Sequence, residues 1–375
     1  MMRIGINILF LIPGVVGGTE TYAAGLLSGL AKTDNENEFF IFLNQRAAAW
    51  PIPEKENFIK IICPFDGQKR YLRYFFEQYQ LPQLLRQYRI DLIHSLGYVG
   101  PLRTPCISVV TIPDVNFIDV AHTLSILKKC TLRLFSLQSA KNSSHIITIS
   151  QFSKGRLCRI LRIPEKKITV TLLSADINNI NRLNKSKDLS VYYRIKRPYI
   201  VAFGGGAIHK NIPRLLQAFA SLKNSIPHSL VLIGHIPPNV ELRTVFNDYD
   251  INERLIATGY VPRDHVGLLL SNSDLFVLPS LYEGFGIPLL EAQIAGVPIA
   301  CSTAGSLPEV GGDGAFYFNP NSVESIAQAI WLCLQDAKLR SQLIIKGREN
   351  SQIFSWDKTA RETIRVYHKV LHAKK

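Results

Sequence analysis

The sequence predicts an α/β protein built from two parallel-sheet domains, and three observations carry that expectation. The chain has 375 residues, 47% of them hydrophobic and 19% charged, which is enough for two domains that each bury a core. Short apolar runs alternate with helical runs twice over, on either side of the polar, Asn- and Lys-rich stretch Asn178–Asp188. Such alternation calls for parallel strands joined by crossover helices. Finally, strands lead into helices through glycine loops, most clearly within Pro279–Pro298, PSLYEGFGIPLLEAQIAGVP.

In the first half, Arg3–Phe10 reads as a strand, Pro13–Gly18 as a glycine loop and Thr19–Leu30 as a helix. This is a phosphate-facing unit, although neither G-x-G-x-x-G nor a P-loop pattern is present. The apolar N-terminus is broken by Pro13 and Gly14, so it is read as a strand and not as a targeting segment. Phe39–Leu43 and Phe58–Cys63 are further strands. Gln68–Ile90 mixes Lys69, Arg70, Arg73, Arg86 and Arg89 with Tyr71, Tyr74, Phe75, Phe76, Tyr79 and Tyr88. Two readings of it stay open: a helix lying on an anionic bilayer, or a core helix whose basic chains cover its edge. Asp91–His94, Cys106–Ile112, His145–Ile149 and Ile168–Leu172 complete the strands, with helices at Leu124–Ala140 and Gln151–Leu161, the latter capped by Ser150.

The second half begins with the strand Tyr199–Phe203, followed by GGGAIHKN and the helix Ile212–Leu222. Strands at Leu230–Ile233, Leu255–Thr258 and Leu275–Leu278 alternate with helical runs at Val240–Asp248 and Arg263–Leu270. Ile299–Cys301 and Ala315–Phe318 add strands, and three helices from Val323 to Leu371 end the chain. Around Gly284 and Gly286 the backbone can approach a ligand closely. A helix starting near Pro288 adds partial positive charge that favours a phosphate. Glu283, in the loop, and Glu291, expected in the first turn, can each accept hydrogen bonds from neighbouring sugar hydroxyls.

The net charge of +14 suits an anionic partner such as a nucleotide diphosphate or a membrane surface; no nucleic-acid module accompanies it. No apolar stretch reaches the roughly 18–20 residues of a spanning helix. The six cysteines are scattered, as reduced core residues of a cytosolic protein would be. No set of His, Cys, Asp and Glu has ligand spacing, so no metal site is expected.

SLYEGFGIPLLEA and the following GVPIACSTAGSLPEVGGDGAFYFNP resemble the donor-site signature of family four of the retaining nucleotide-sugar glycosyltransferases, and the likeness extends over nearly the whole chain. The resemblance implies two Rossmann-like domains facing across a cleft, the GT-B arrangement. The expected boundaries are 1–185 for an acceptor domain and 190–355 for a donor domain, with a C-terminal helix, 356–375, packing back on the first. It implies transfer of a hexose, mannose from GDP-mannose in the branch that HKN and FGIPLLEA favour. The acceptor would be a glycan or polyprenyl-diphosphate-linked chain in surface-polysaccharide assembly, used by a cytoplasmic protein at the inner membrane face. No cofactor or metal is expected, and retention would come without a stable covalent intermediate. Glu283 would hold the donor sugar and Glu291 the ribose; Phe285 and Gly286 would offer backbone contacts, and Lys210, Gly17 and Gly18 would hold the diphosphate. The chain departs from the pattern twice. No Arg shortly precedes Lys210, where only His209 offers a substitute cation, and Pro113 stands before Asp114 where many members carry a His. Asp114, His94 and His122 are therefore the first-half candidates for sugar or acceptor contact. Two other classes fit the same residues: a nucleotide-sugar epimerase or hydrolase on this fold, and a binding partner that has lost catalysis.

Overall fold

The computed structural model describes residues 1–15, 17–116, 126–175, 189, 191–234 and 251–373, with the side chains of 126–132 and of Asn252 outside that set. Candidate His122, the expected linker 178–188 and the expected helix 240–248 lie outside the described residues. The chain divides into two units, one formed by Met1–Ser174 with Ser355–Lys375, the other by Ala175–Phe354.

In the first unit, seven described strands form a parallel sheet in the order β3-β2-β1-β4-β5-β6-β7. They are β1 (Arg3–Asn7), β2 (Glu38–Asn44), β3 (Phe58–Cys63), β4 (Leu92–Ser95), β5 (Ile107–Thr111), β6 (His145–Thr148) and β7 (Ile168–Val170). β4 and β5 are buried at every position, as strands covered on both faces must be. β1 stops three residues short of the expected Phe10, because Asn7 Oδ1 accepts the Leu9 amide at 3.1 Å and turns the chain. The helices are α1 (Gly18–Thr33), α2 (Arg70–Phe75), α3 (Leu81–Gln87), α4 (Ile126–Asn142) and α5 (Gln151–Leu161). Ser150 caps α5 through the Ser153 amide at 3.0 Å.

Gln68–Ile90 is not one regular helix. A π-turn, Phe76–Gln80, sits between α2 and α3. The inserted residue shifts the phase, so that Leu81 is buried where an unbroken helix would have turned Gln80 inward. Phe76 stacks on Phe65 at 4.9 Å, and Tyr74 lies nearly parallel to Phe135 at 4.6 Å. Arg73, counted among the surface cations from sequence, instead covers the Tyr74 ring and approaches the buried Glu77 at 3.7 Å.

In the second unit, six described strands are ordered β10-β9-β8-β11-β12-β13, again with every ladder parallel. They are β8 (Tyr199–Phe203), β9 (Ser229–Ile233), β10 (Leu255–Gly259), β11 (Leu275–Leu278), β12 (Ile299–Ser302) and β13 (Phe316–Phe318). The helices are α6 (Ile212–Ser221), α7 (Arg263–Ser271), α8 (Ile287–Ala295), α9 (Leu307–Gly311), α10 (Val323–Gln335) and α11 (Ala337–Ser351). α9 was not foreseen. The core packs Leu215 and Phe219 of α6 and Ile326 and Ile330 of α10 against Ile200, Leu230 and Val277 of the sheet.

The last helix, α12 (Trp356–His372), belongs to the first unit. Gly25 and Gly29 of α1 permit its approach: a Cβ at Gly29 would lie 2.3 Å from the Trp356 carbonyl oxygen, and one at Gly25 would lie 2.1 Å from the Trp356 ring. Farther along, the Tyr367 hydroxyl meets His94 Nδ1 at 2.6 Å, and Thr359 Oγ1 donates to the Leu172 carbonyl at 2.5 Å. Cys63, Cys301 and Cys333 are buried free thiols, and Cys106 and Cys158 are half-buried. Among the described residues no helix is long and apolar enough to cross a membrane.

Candidate functional site

In the second unit the strand order reverses between β8 and β11. A doubly wound sheet opens a crevice at such a point, beyond the carboxyl ends of the two strands. The loop after β8 carries Gly204–Gly206 and Lys210; the loop after β11 carries Glu283. The Leu281 amide donates to the His209 carbonyl at 2.7 Å, joining the two loops. Asn211, in the left-handed region at φ 58°, donates through Nδ2 to the carbonyls of Pro279 at 3.0 Å and Pro320 at 2.7 Å.

This bracing brings Lys210 and Glu283 together. Lys210 Nζ lies 2.7 Å from Glu283 Oε1, and Ser280 Oγ donates to the same oxygen at 2.8 Å. Among the described residues no hydrogen-bond donor meets Glu283 Oε2. Both side chains are partly buried, 24% exposed for Lys210 and 15% for Glu283. Desolvation of that degree strengthens a charge's hold on any anion or hydroxyl reaching it. His209 titrates below its ordinary range, through burial first and then the Lys210 charge, with Glu283 opposing. It is neutral at pH 7, so it does not supply the second cation.

The glycine loop after Glu283 is held from behind. Ser306, fully buried, has its Oγ 3.0 Å from the Glu283 carbonyl and 2.9 Å from that of Phe285, and its amide also reaches the Glu283 carbonyl at 3.2 Å. Gly305, at φ 67°, lies so close that a Cβ there would come 2.5 Å from the Glu283 carbonyl oxygen. The Phe285 ring is buried edge-on against Phe354 at 5.9 Å and its carbonyl is held by Ser306, which leaves its backbone amide for a ligand. Gly286, at φ 102°, is the N-cap of α8, so the helix begins at Ile287 with Pro288 second. Glu291 is accordingly the fifth helical residue and not in the first turn as expected; it is half-buried, about one turn along the helix. Burial, with Glu283's charge as a lesser cause, raises the Cys301 thiol's pKa, so it is an inert neighbour. The sequence does not single out Ser280, Ser306, Gly305 or Asn211; for Gly305 and Ser306 the one visible signal is the glycine in STAGSLPEV.

In the first unit the order reverses between β1 and β4. Gly17, at φ 58°, caps α1, and Gly18 is its first residue; a Cβ at either would meet nothing within 4 Å. Asp114, buried, accepts the Tyr98 hydroxyl at 2.7 Å and the Asn116 amide at 3.1 Å. His94 corrects the sequence expectation. It is fully buried, with Nδ1 on Tyr367 and Nε2 on Thr111 Oγ1 at 2.7 Å, so no ring nitrogen remains for a sugar. Among the described residues no three His, Cys, Asp or Glu are grouped as a metal ion would need.

Known proteins share this design. The family described as glycosyl transferases group 1 matches residues 187–350, and glycosyltransferase family 4 matches 16–176. The O-antigen chain mannosyltransferase B of Escherichia coli is 31% identical over 292 residues, 76% of this chain and 75% of the relative. The chain belongs to glycosyltransferase family 4. Sucrose-phosphate synthase of Thermosynechococcus elongatus superposes on this family-4 transferase with a TM-score of 0.77 at 18% identity, covering all of both chains. HepE of Anabaena, solved with UDP-glucose, superposes with a TM-score of 0.74 at 17% identity, covering 98% of this chain and all of the other. The fold of the family-4 transferase is GT-B, two parallel-sheet α/β domains.

Proposed function

We propose that this glycosyltransferase moves mannose from GDP-mannose to a glycan or polyprenyl-diphosphate-linked acceptor at the inner face of the membrane, with retention and without a metal ion. The observation that carries the reading is the Lys210–Glu283 pair at 2.7 Å. A cation for a diphosphate stands there beside a carboxylate for sugar hydroxyls, at the switch point of a parallel sheet. As the glycosyl–oxygen bond breaks, negative charge grows on the departing diphosphate. Lys210 and the N-terminus of α8, opened by Gly286, meet that charge where it develops. Glu283 orients the transferred sugar through its free oxygen, and Glu291 accepts the ribose hydroxyls. In the first unit, Gly17 and Gly18 offer an anion the N-terminus of α1, and Asp114 and His122 are the remaining candidates for sugar or acceptor contact. Mannose is favoured by the name of the 31%-identical relative.

The test uses purified protein, a panel of GDP-, UDP- and ADP-sugars, and release of the free nucleotide. Lys210→Ala is expected to lower turnover by about a hundred- to a thousandfold, the usual cost of losing one charge-stabilising donor. Glu291→Ala is expected to weaken donor affinity by about 1.5–3 kcal/mol, measured by calorimetry. Near-normal turnover of the first variant, or unchanged donor affinity of the second, removes that residue's role. Preference for another donor removes GDP-mannose.

A further inference from the structure

The segment from α2 into the π-turn presents an aromatic line on the outside of the first unit. Tyr71, Phe75 and Tyr79, spaced four residues apart, are exposed by 67%, 53% and 65%, with the Phe75 and Tyr79 rings 5.1 Å apart. Their neighbours Phe76 and Leu81 are buried, so the outward aromatics are not edges of the core. The Tyr74–Phe135 stack joins α2 to α4, where Leu134 is also 56% exposed. Lys69 and Arg70, at the start of α2, and Arg133, two residues before Phe135 on α4, are exposed. The place of this apolar strip is defined within the unit. A crossover helix runs back along the sheet, so α2 starts at the carboxyl end of β3. Gln78 confirms the position by bonding the Gly100 carbonyl at 3.3 Å and the Leu102 amide at 2.9 Å, in the segment after β4. The strip therefore rims the strand end that carries Gly17, Gly18 and Asp114.

We propose that this strip, Tyr71–Phe75–Tyr79 with Lys69, Arg70 and Arg133, docks the protein on an anionic lipid bilayer. Three features favour that occupant. Tyrosine carries an apolar body with a polar tip, the balance that suits the headgroup boundary. Lys69, Arg70 and Arg133 are positive, complementary to an anionic leaflet, and Asp66 beside Lys69 is paired with Arg46. The strip is also a convex helix face, suited to a surface and not to an inserted peptide. The inference deepens the reading of a lipid-linked acceptor, yet it is measured without donor or acceptor, so its failure and that of the transferase assay are separate events.

The experiment is sedimentation of the full chain with phosphatidylcholine vesicles, with and without phosphatidylglycerol. Four proteins are compared: wild type, the triple variant Tyr71→Ser, Phe75→Ser, Tyr79→Ser, the double variant Lys69→Gln, Arg70→Gln, and a control. The control changes Arg361, Arg365 and Lys369 to Gln on the exposed face of α12, removing charge elsewhere on the same unit. Wild type is expected to bind the phosphatidylglycerol vesicles. The double variant should bind roughly twenty-fivefold more weakly, from about fivefold per charge near an anionic surface. The triple variant should lose at least about tenfold through its apolar contacts, and the control should keep most of the affinity. Thermal unfolding checks the fold of each; if the triple variant does not fold, the double variant against the control decides. No binding by wild type, equal binding by the strip variants, or an equal loss in the control overturns the proposal. A strip that docks a protein instead would give the first of these results.

Discussion

His94 ties the stability of the first unit to pH, and the size of the effect follows from its surroundings. Its ring is fully buried between β4, β5 and α12, with Tyr367 on Nδ1 and Thr111 on Nε2; Thr111 in turn meets the Tyr22 hydroxyl at 3.0 Å. Asp34 is the charged group that acts on this chain, through Tyr367. Burial pushes the His94 pKa down to about 3 from 6.5. A base whose folded value is depressed stays neutral in the fold while the unfolded chain takes up a proton. Its contribution is complete above about pH 6.5, falls as the pH drops, and levels off near pH 3. At ~1.36 kcal/mol per pH unit, this histidine alone costs the fold about 4–5 kcal/mol between those limits. The perturbation is His94→Gln, followed by urea unfolding at about pH 7, 6, 5 and 4. At pH 7 the variant should lose about 1–3 kcal/mol, because a buried partner is left unsatisfied. Between about pH 6 and 4 its stability should depend on pH less steeply than wild type, by about 1.4 kcal/mol per unit. His145, pushed to about 4 by burial first and then by Lys369 and Lys167, adds a slope of the same sign to both proteins, so it cancels in the comparison. Equal slopes would refute the reasoning.

Two further outcomes are expected. Ser306→Ala removes the hydroxyl shared by the carbonyls of Glu283 and Phe285; it should cost about 1 kcal/mol of stability and weaken donor binding, as read by a melting scan with and without donor. Glu77, buried on the π-turn, has its pKa raised to about 7 by burial, with Arg73 and Asn7 opposing. A carboxyl with a raised folded value keeps its proton longer than the unfolded chain does, so Glu77 by itself subtracts stability as the pH rises from about 4.5 to 7, against the gain that His94 and His145 supply; Glu77→Gln should therefore gain on wild type between melts at about pH 5 and pH 8.

Much of the architecture was legible because its signals are local. Alternating apolar runs placed each described strand, since a strand covered on both faces must be apolar at nearly every position. Lys210 and Glu283 were legible for a related reason: each follows a buried strand and sits among glycines, a pattern that few purely structural loops need. α8 begins at Ile287, one residue before the Pro288 at which the sequence suggests a start. Gly286, able to adopt φ 102°, serves as the N-cap, and that conformation is not written in residue type. The same blindness hid Ser306, whose value depends on two carbonyls more than twenty residues away.

The first unit shows where a one-dimensional reading stops. A histidine ending an apolar run looks alike whether its ring faces a ligand or a partner helix. The partner that decides the matter for His94, Tyr367, lies 273 residues later. Glycines 25 and 29 of α1 likewise read as weak points of a helix, and only the close approach of Trp356 explains them. In Gln68–Ile90 the residue types were right but their directions were not recoverable. Gln80, four residues after the buried Phe76, lies at the surface, while Leu81, beyond the π-turn, is buried. Arg73 is held against Tyr74 and Glu77, whereas Lys69 and Arg70, at the start of α2, face solvent. Which of the chain's many basic residues can meet an anionic surface is therefore decided by each side chain's local partners, and composition alone could not have ranked them.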